Sequence, residues 1–280
     1  MQNLTYTLLI DCQDQIGLVY RITNILFNNQ LNIIRNSEFV EKETNHFFMR
    51  TEFSGELYEE SVMKQLKAAL PPDATIKMSS KVKKNIVILV TKEHHCLAEL
   101  LCRYQFKELN ANILAVIGNY NTLQKLTEKF DIPYHHITHE SKTRETHEAE
   151  IKQIINSYKP DYLVLAKFMR ILTPEFVAHF PNRIINIHHS FLPAFIGANP
   201  YKQAYQRGVK IIGATAHFVN NDLDDGPIIK QAVHAVDHSQ TPFDMAQTGR
   251  DVEKLVLANA LRLVFEDCVF VSGNKTIILD

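Results

Sequence analysis

The spacing of apolar residues changes once along this chain, near residue 85, and no other feature limits the fold more. Upstream, residues 4–11 form a β-rich run, and residues 17–29 repeat apolar side chains at helical spacing through Leu18, Ile22, Ile25 and Leu26. Residues 32–40 and 46–53 read as two strands around a charged turn at 41–45. Residues 57–70 set Val62, Leu66, Ala69 and Leu70 on one helical stripe, stopped by Pro71-Pro72, and 74–78 close the unit as a last strand. The order βαββαβ predicts a ferredoxin-like sheet over residues 1–80 with two helices on one face. The polar, basic stretch around residues 81–84 is expected to be a linker.

From residue 85 the pattern is different. Short apolar runs at 86–90, 113–117, 162–165 and 184–187 suit strands covered on both faces. Helical patterns lie between them, near 96–108, 122–130 and 143–158. This alternation predicts a Rossmann-like, mostly parallel wound α/β sheet over residues 85–280. Later, 211–219 and 227–236 read as strands joined by an acidic loop at 220–226, followed by a long helix over 242–265.

Composition removes several function classes. A formal charge of −1 gives no electrostatic case for nucleic acid or an anionic membrane. No apolar stretch reaches the ~20 residues of a spanning helix, and the first residues lack the regions of a signal peptide. Cys12, Cys96, Cys102 and Cys268 are scattered without a Cys-x-x-Cys pair, so a reduced, cytoplasmic location is expected. The pairs His94-His95 and His135-His136 raise the question of zinc. Neighbouring residues on a strand face opposite ways and no ligand-spaced set is present, so no metal is expected.

Chemistry concentrates where the strand at 184–187 ends. Asn186 and His188 are two positions apart, so they share one face at the strand's carboxyl end before Pro193 breaks the run. Open α/β sheets place their sites there. An Asn there either caps the turn or donates to a developing oxyanion, and a His is either a satisfied core residue or a proton shuttle. Asp224, in the loop with Asp222 and Asp225, is either a solvated carboxylate or a partner that orients the His. His189 points away if the strand continues, which suits a structural role.

Several motifs in order carry a resemblance: Leu165-Ala166-Lys167-Phe168-Met169-Arg170-Ile171-Leu172-Thr173-Pro174, then Asn186-Ile187-His188, Ser190 and Leu192-Pro193, then His217-Phe218-Val219 and Leu223-Asp224-Asp225-Gly226. Together they resemble the folate-dependent formyltransferase family over roughly residues 85–280. The N-terminal unit, with Asp14-Gln15-Ile16-Gly17 between strand and helix, resembles an ACT domain. The two in succession, with the details at 187–195 and 249–254, resemble the formyltetrahydrofolate deformylase family.

That resemblance implies roles. Asn186 would stabilise the oxyanion, His188 would move the proton, and Asp224 would pair with His188. Phe168, Met169, Arg170, Ile171 and Leu172 would line a folate pocket completed by Asn220, Asn221, Asp222 and Leu223. Lys167 would either reach solvent or meet the folate's polyglutamate tail. Asp14, Gln15, Ile16 and Gly17, with Asn32, would bind an amino-acid effector, and ACT units imply a homo-oligomer, dimer or tetramer. No permanently bound cofactor is implied, because 10-formyltetrahydrofolate is the substrate.

The acceptor is read from what surrounds these residues. A phosphate-bearing acceptor needs a glycine-rich loop after the first strand of the second unit. That stretch reads Thr91-Lys92-Glu93-His94-His95-Cys96, without glycine and with an acid. Water is therefore the expected nucleophile, and the resemblance implies that the released formate supplies purine synthesis and that the reaction balances the one-carbon folate pools. Formyl transfer to a small amine and a non-catalytic amino-acid sensor are the alternatives.

Overall fold

The computed structural model describes residues 4–80, 82–194 and 200–280. Residues 1–3, Lys81 of the expected linker and Phe195 of the motif at 187–195 lie outside them.

The first unit runs β1 (Thr5–Gln13), α1 (Leu18–Asn28), β2 (Asn32–Glu41), β3 (His46–Ser54), α2 (Glu59–Ala69) and β4 (Thr75–Ser80). Its sheet is antiparallel in the order β2-β3-β1-β4, the expected ferredoxin-like arrangement. Leu18, Ile22, Ile25 and Leu26 of α1 pack with Val62 and Leu66 of α2 on Leu8, Ile10, Phe47, Met49 and Phe53 of the central strands. Strand residues point alternately to opposite faces, so Leu9 and Phe48 face away from the helices. They are buried with Phe270 and Leu279.

That second face draws in the end of the chain. Glu266–Phe270 and Ile277–Asp280 group with the first unit, whereas the expected division gave all of 85–280 to the second. The buried Arg50 donates through Nε to the Asp267 carbonyl and through a terminal nitrogen to the Glu266 carbonyl, both at 3.0 Å. The Asp267 carboxylate meets Lys77 Nζ at 2.8 Å and the Ser79 hydroxyl at 2.9 Å. Lys84, placed in the linker from sequence, already belongs to a strand, opposite Ala111.

The second unit runs β5 (Lys84–Val90), α3 (His95–Gln105), β6 (Ala111–Gly118), α4 (Gln124–Glu128), β7 (Tyr134–His136), α5 (Arg144–Tyr158), β8 (Tyr162–Leu165), α6 (Pro174–His179), β9 (Ile184–His188), α7 (Pro200–Arg207), β10 (Ile211–Phe218), β11 (Ile228–Ala235) and α8 (Pro242–Phe265). The terminal hairpin is β12 (Val269–Ser272) and β13 (Lys275–Ile278). Its seven strands are ordered β11-β10-β9-β8-β5-β6-β7. The five from β9 to β7 pair in parallel, and β10 and β11 are antiparallel. Residues 86–90 are wholly buried, as a strand covered on both faces requires. Five short elements, β7, α6, α7, β12 and β13, were not anticipated; at three to eight residues they carry too little periodicity to read.

The chain leaves β5 towards β6 on one side and leaves β8 towards β9 on the other. Between β5 and β8 the winding reverses, which opens a crevice beyond the carboxyl ends of these strands.

Candidate active site

A cavity of roughly 340 Å³ opens at those strand ends. Its walls are the loop after β8, the end of β9 and the loop after β10, and all nine residues expected to hold folate line it: 168–172 and 220–223. Thr173 ends the first loop by capping α6, its hydroxyl accepting from the Phe176 N–H, with Pro174 in the first turn. Residues 168–172 stay outside the helix, which starts only at Pro174. Phe168 is buried, while Met169 and Ile171 remain exposed.

Asn186, His188 and Asp224 converge in the cavity. His188 Nδ1 lies 3.2 Å from Asp224 Oδ2. Burial pushes the Asp224 carboxyl up, but the hydrogen bond and charge of His188, with the charge of His217, outweigh it and hold the pKa below the usual value. A carboxylate fixed as acceptor makes Nδ1 the protonated nitrogen, so Nε2 carries the lone pair. His188 Nε2 is buried and has no hydrogen-bond partner among the described residues, as a proton acceptor awaiting substrate should be. The other acids of the loop, Asp222 and Asp225, make no such pair with His188 among the described residues.

His217 is the member that sequence reasoning missed as a site residue. The β9–β10 register sets it directly opposite Asn186. Its Nδ1 donates to the Phe218 carbonyl at 2.8 Å, which leaves Nε2 to accept from Asn186 Nδ2 at 3.2 Å. Burial lowers the His217 pKa, partly offset by the bond to that carbonyl, so the neutral acceptor form is favoured. One amide hydrogen of Asn186 is thereby tied and the other is available to an oxyanion. Gly226 permits this geometry, since a Cβ there would lie 1.7 Å from the Phe218 carbonyl oxygen.

Lys167 departs from both roles considered for it. It neither reaches solvent nor is free to meet a polyglutamate tail. Its side chain is 4% exposed, and Nζ lies 3.0 Å from Glu253 Oε2. His95 Nε2 meets the same oxygen at 2.9 Å, and the Tyr201 hydroxyl donates to Oε1 at 2.6 Å. His95, Cys96 and Glu253 bring one ligand atom each within 4.8 Å of one another, as do Glu266, Cys268 and Asp280. In the first group the Glu253 carboxylate is already engaged by the Lys167 ammonium. Burial and the Lys167 charge bring the His189 pKa down to about 4, so His189 lines the cavity as a neutral imidazole.

The residues expected to bind an effector are not assembled within one chain. Gly17 caps α1 with φ 85, and Ile16 is almost fully exposed. Asn32 opens β2 opposite Ser54, whereas Gln13, next to Asp14, is opposite His46 at the other end of the sheet. The 11 residues of α1, about 16 Å of helix, separate the two places.

The chain matches the formyl transferase family model over residues 84–261 and the ACT domain model over 6–71. A formyltetrahydrofolate deformylase from Haemophilus influenzae is 55% identical over 272 residues, covering 97% of this chain and 98% of its own. The chain belongs to the formyltetrahydrofolate deformylase family. A second member, from Escherichia coli K12, is 56% identical over 96% of each chain. The crystal structure of a formyltetrahydrofolate deformylase from Pseudomonas syringae superposes with a TM-score of 0.95 at 38% identity, covering 100% of this chain and 96% of that one. No helix among the described residues is long and apolar enough to cross a membrane.

Proposed function

We propose that this chain hydrolyses 10-formyltetrahydrofolate to formate and tetrahydrofolate, with Asn186, His188 and Asp224 as the reacting groups. The observation that carries the reading is the His188 ring, with Nδ1 on Asp224 and a buried Nε2 that has no hydrogen-bond partner among the described residues. Water attacks the formyl carbon and passes its proton to His188 Nε2. The formyl oxygen becomes an oxyanion that accepts a hydrogen bond from the remaining Asn186 amide N–H. His188 then protonates N10, the C–N10 bond breaks, and formate leaves. Asp224 keeps the imidazole oriented through Nδ1.

Folate binds between 168–172 and 220–223, where apolar side chains cover a flat heterocycle and backbone groups meet its polar edge. The formate supplies purine synthesis, and the reaction balances the one-carbon folate pools in the cytoplasm. The ACT unit binds an amino acid near Asp14–Gly17 in a homo-oligomer, where Asn32 is supplied by a neighbouring copy. That arrangement accounts for their separation within one chain.

The test is turnover with 10-formyltetrahydrofolate alone. Formate and tetrahydrofolate are expected without any second substrate. Product that appears only after glycinamide ribonucleotide is added would make the chain a transferase. Amino-acid binding with no product in either mixture would make it a sensor.

A further inference from the structure

Lys167 adopts φ 63. That left-handed conformation is strained for a residue with a side chain, and glycine adopts it freely. Its ammonium is buried against Glu253, which is itself 1% exposed. A buried ion pair is a weak device for stability, because desolvating both charges offsets their attraction. A strained backbone and a buried pair at the wall of a reacting cavity together point to a function for the side chain.

Lys167 lines the cavity, and Glu253 pairs with it. Four segments meet there: the loop after β8 with Lys167, α8 with Glu253, the start of α3 with His95, and α7 with Tyr201. Both Glu253 oxygens are engaged. Gly249, one turn before Glu253, leaves the space that Tyr201 fills, since a Cβ there would lie 2.0 Å from the Tyr201 hydroxyl. The loop after β5 is also occupied by its own contacts. Thr91 accepts from the Met169 N–H at 2.9 Å, and Lys92 lies 4.0 Å over the Tyr120 ring.

We propose that the Lys167–Glu253 pair selects water as the formyl acceptor. This deepens the hydrolase reading and rests on it. On that side the described side chains of α3, α7 and α8 are already engaged with one another through Glu253, and the ammonium repels a protonated amine approaching His188. Water passes, its oxygen bonding to the formyl carbon while its proton goes to His188 and on to N10. Without the pair, an uncharged amine takes the same course. Its nitrogen bonds to the formyl carbon, its proton travels through His188 to N10, and a formamide leaves in place of formate.

The experiment supplies the full-length protein with 10-formyltetrahydrofolate carrying a ¹³C-formyl group and a large excess of glycinamide, and counts formate and N-formylglycinamide by NMR. The unmodified protein should yield formate alone. Lys167→Gly suits the backbone and removes the ammonium, and Lys167→Met keeps most of the stem. In both, the amine-to-water product ratio should rise at least about tenfold, the scale on which a pocket discriminates between substrates. Lys167→Gly/Glu253→Gln removes both charges and leaves no unpaired carboxylate, so it gives a folded protein for the same measurement if the single variants unfold. An unchanged ratio in the folded variants would overturn the proposal, as would N-formylglycinamide from the unmodified protein. Absence of formate from the unmodified protein without glycinamide would instead overturn the hydrolase reading itself.

Discussion

Asn186 Nδ2 lies 3.2 Å from His217 Nε2, across two antiparallel strands in direct register. The imidazole is held in its acceptor form by the Phe218 carbonyl, so the direction of the Asn186 amide is set before substrate arrives. A donor oriented in advance stabilises charge without reorganising at the moment of reaction.

Asn186→Ala should lower kcat by about 10²–10³-fold with little change in KM, the signature of a donor used in the transition state. His217→Ala should lower kcat less. If His217 acts through Asn186, the double variant should lose little beyond Asn186→Ala alone, because the two sites share one interaction. Steady-state kinetics on the three variants checks this, and fully additive losses would separate the two residues.

His188→Ala should lower kcat by on the order of 10²-fold or more. Asp224→Asn should also lower kcat, because an amide, which can donate as well as accept, no longer fixes the proton on Nδ1. Folate binding, measured by fluorescence or calorimetry, should remain in both variants. Near-normal turnover in His188→Ala would remove it from the mechanism.

Acid sensitivity should track Glu253. Burial pushes its carboxyl up, but the hydrogen bond from His95, the Lys167 charge and the hydrogen bond from Tyr201 outweigh it and bring the pKa down to about 2. A depressed folded-state pKa means that the ionised carboxylate stabilises the fold fully above its usual value, near 4.5, and that this contribution is lost as pH falls towards about 2. Glu253→Gln should therefore flatten the fall of Tm within that window, as thermal melts across pH would report. A Tm profile parallel to that of the unmodified protein would contradict the assignment.

Gly249→Ala sets two effects against each other. Alanine favours a helix interior by about 1 kcal/mol over glycine, but the new Cβ would lie 2.0 Å from the Tyr201 hydroxyl and 2.2 Å from its ring. A ring held by Glu253 cannot yield cheaply, so Tm should fall. The fall should be smaller in a Tyr201→Ala background.

Some of this was readable from local sequence. Leu18, Ile22, Ile25 and Leu26 declare a helix face through spacing alone, and Asn186 and His188 share a strand face because side chains alternate. Consecutive apolar residues at Leu8-Leu9-Ile10 and Phe47-Phe48-Met49 signalled that both faces of the first sheet are covered, but not by which segment. Glu253 carried a faint signal too. It lies on the buried stripe of α8 with Gly249, Val256 and Leu257, where a carboxylate needs a partner.

Sequence by itself determined the two α/β units, the strand and helix periods, and the pair Asn186 and His188, because each depends on residues a few positions apart. Only the tertiary structure decided which acid meets His188, that His217 holds Asn186, and that Lys167 is buried against Glu253. Those contacts join distant segments through strand register and helix docking. Periodicity cannot record them, because it reports which face a side chain occupies and not what lies opposite that face.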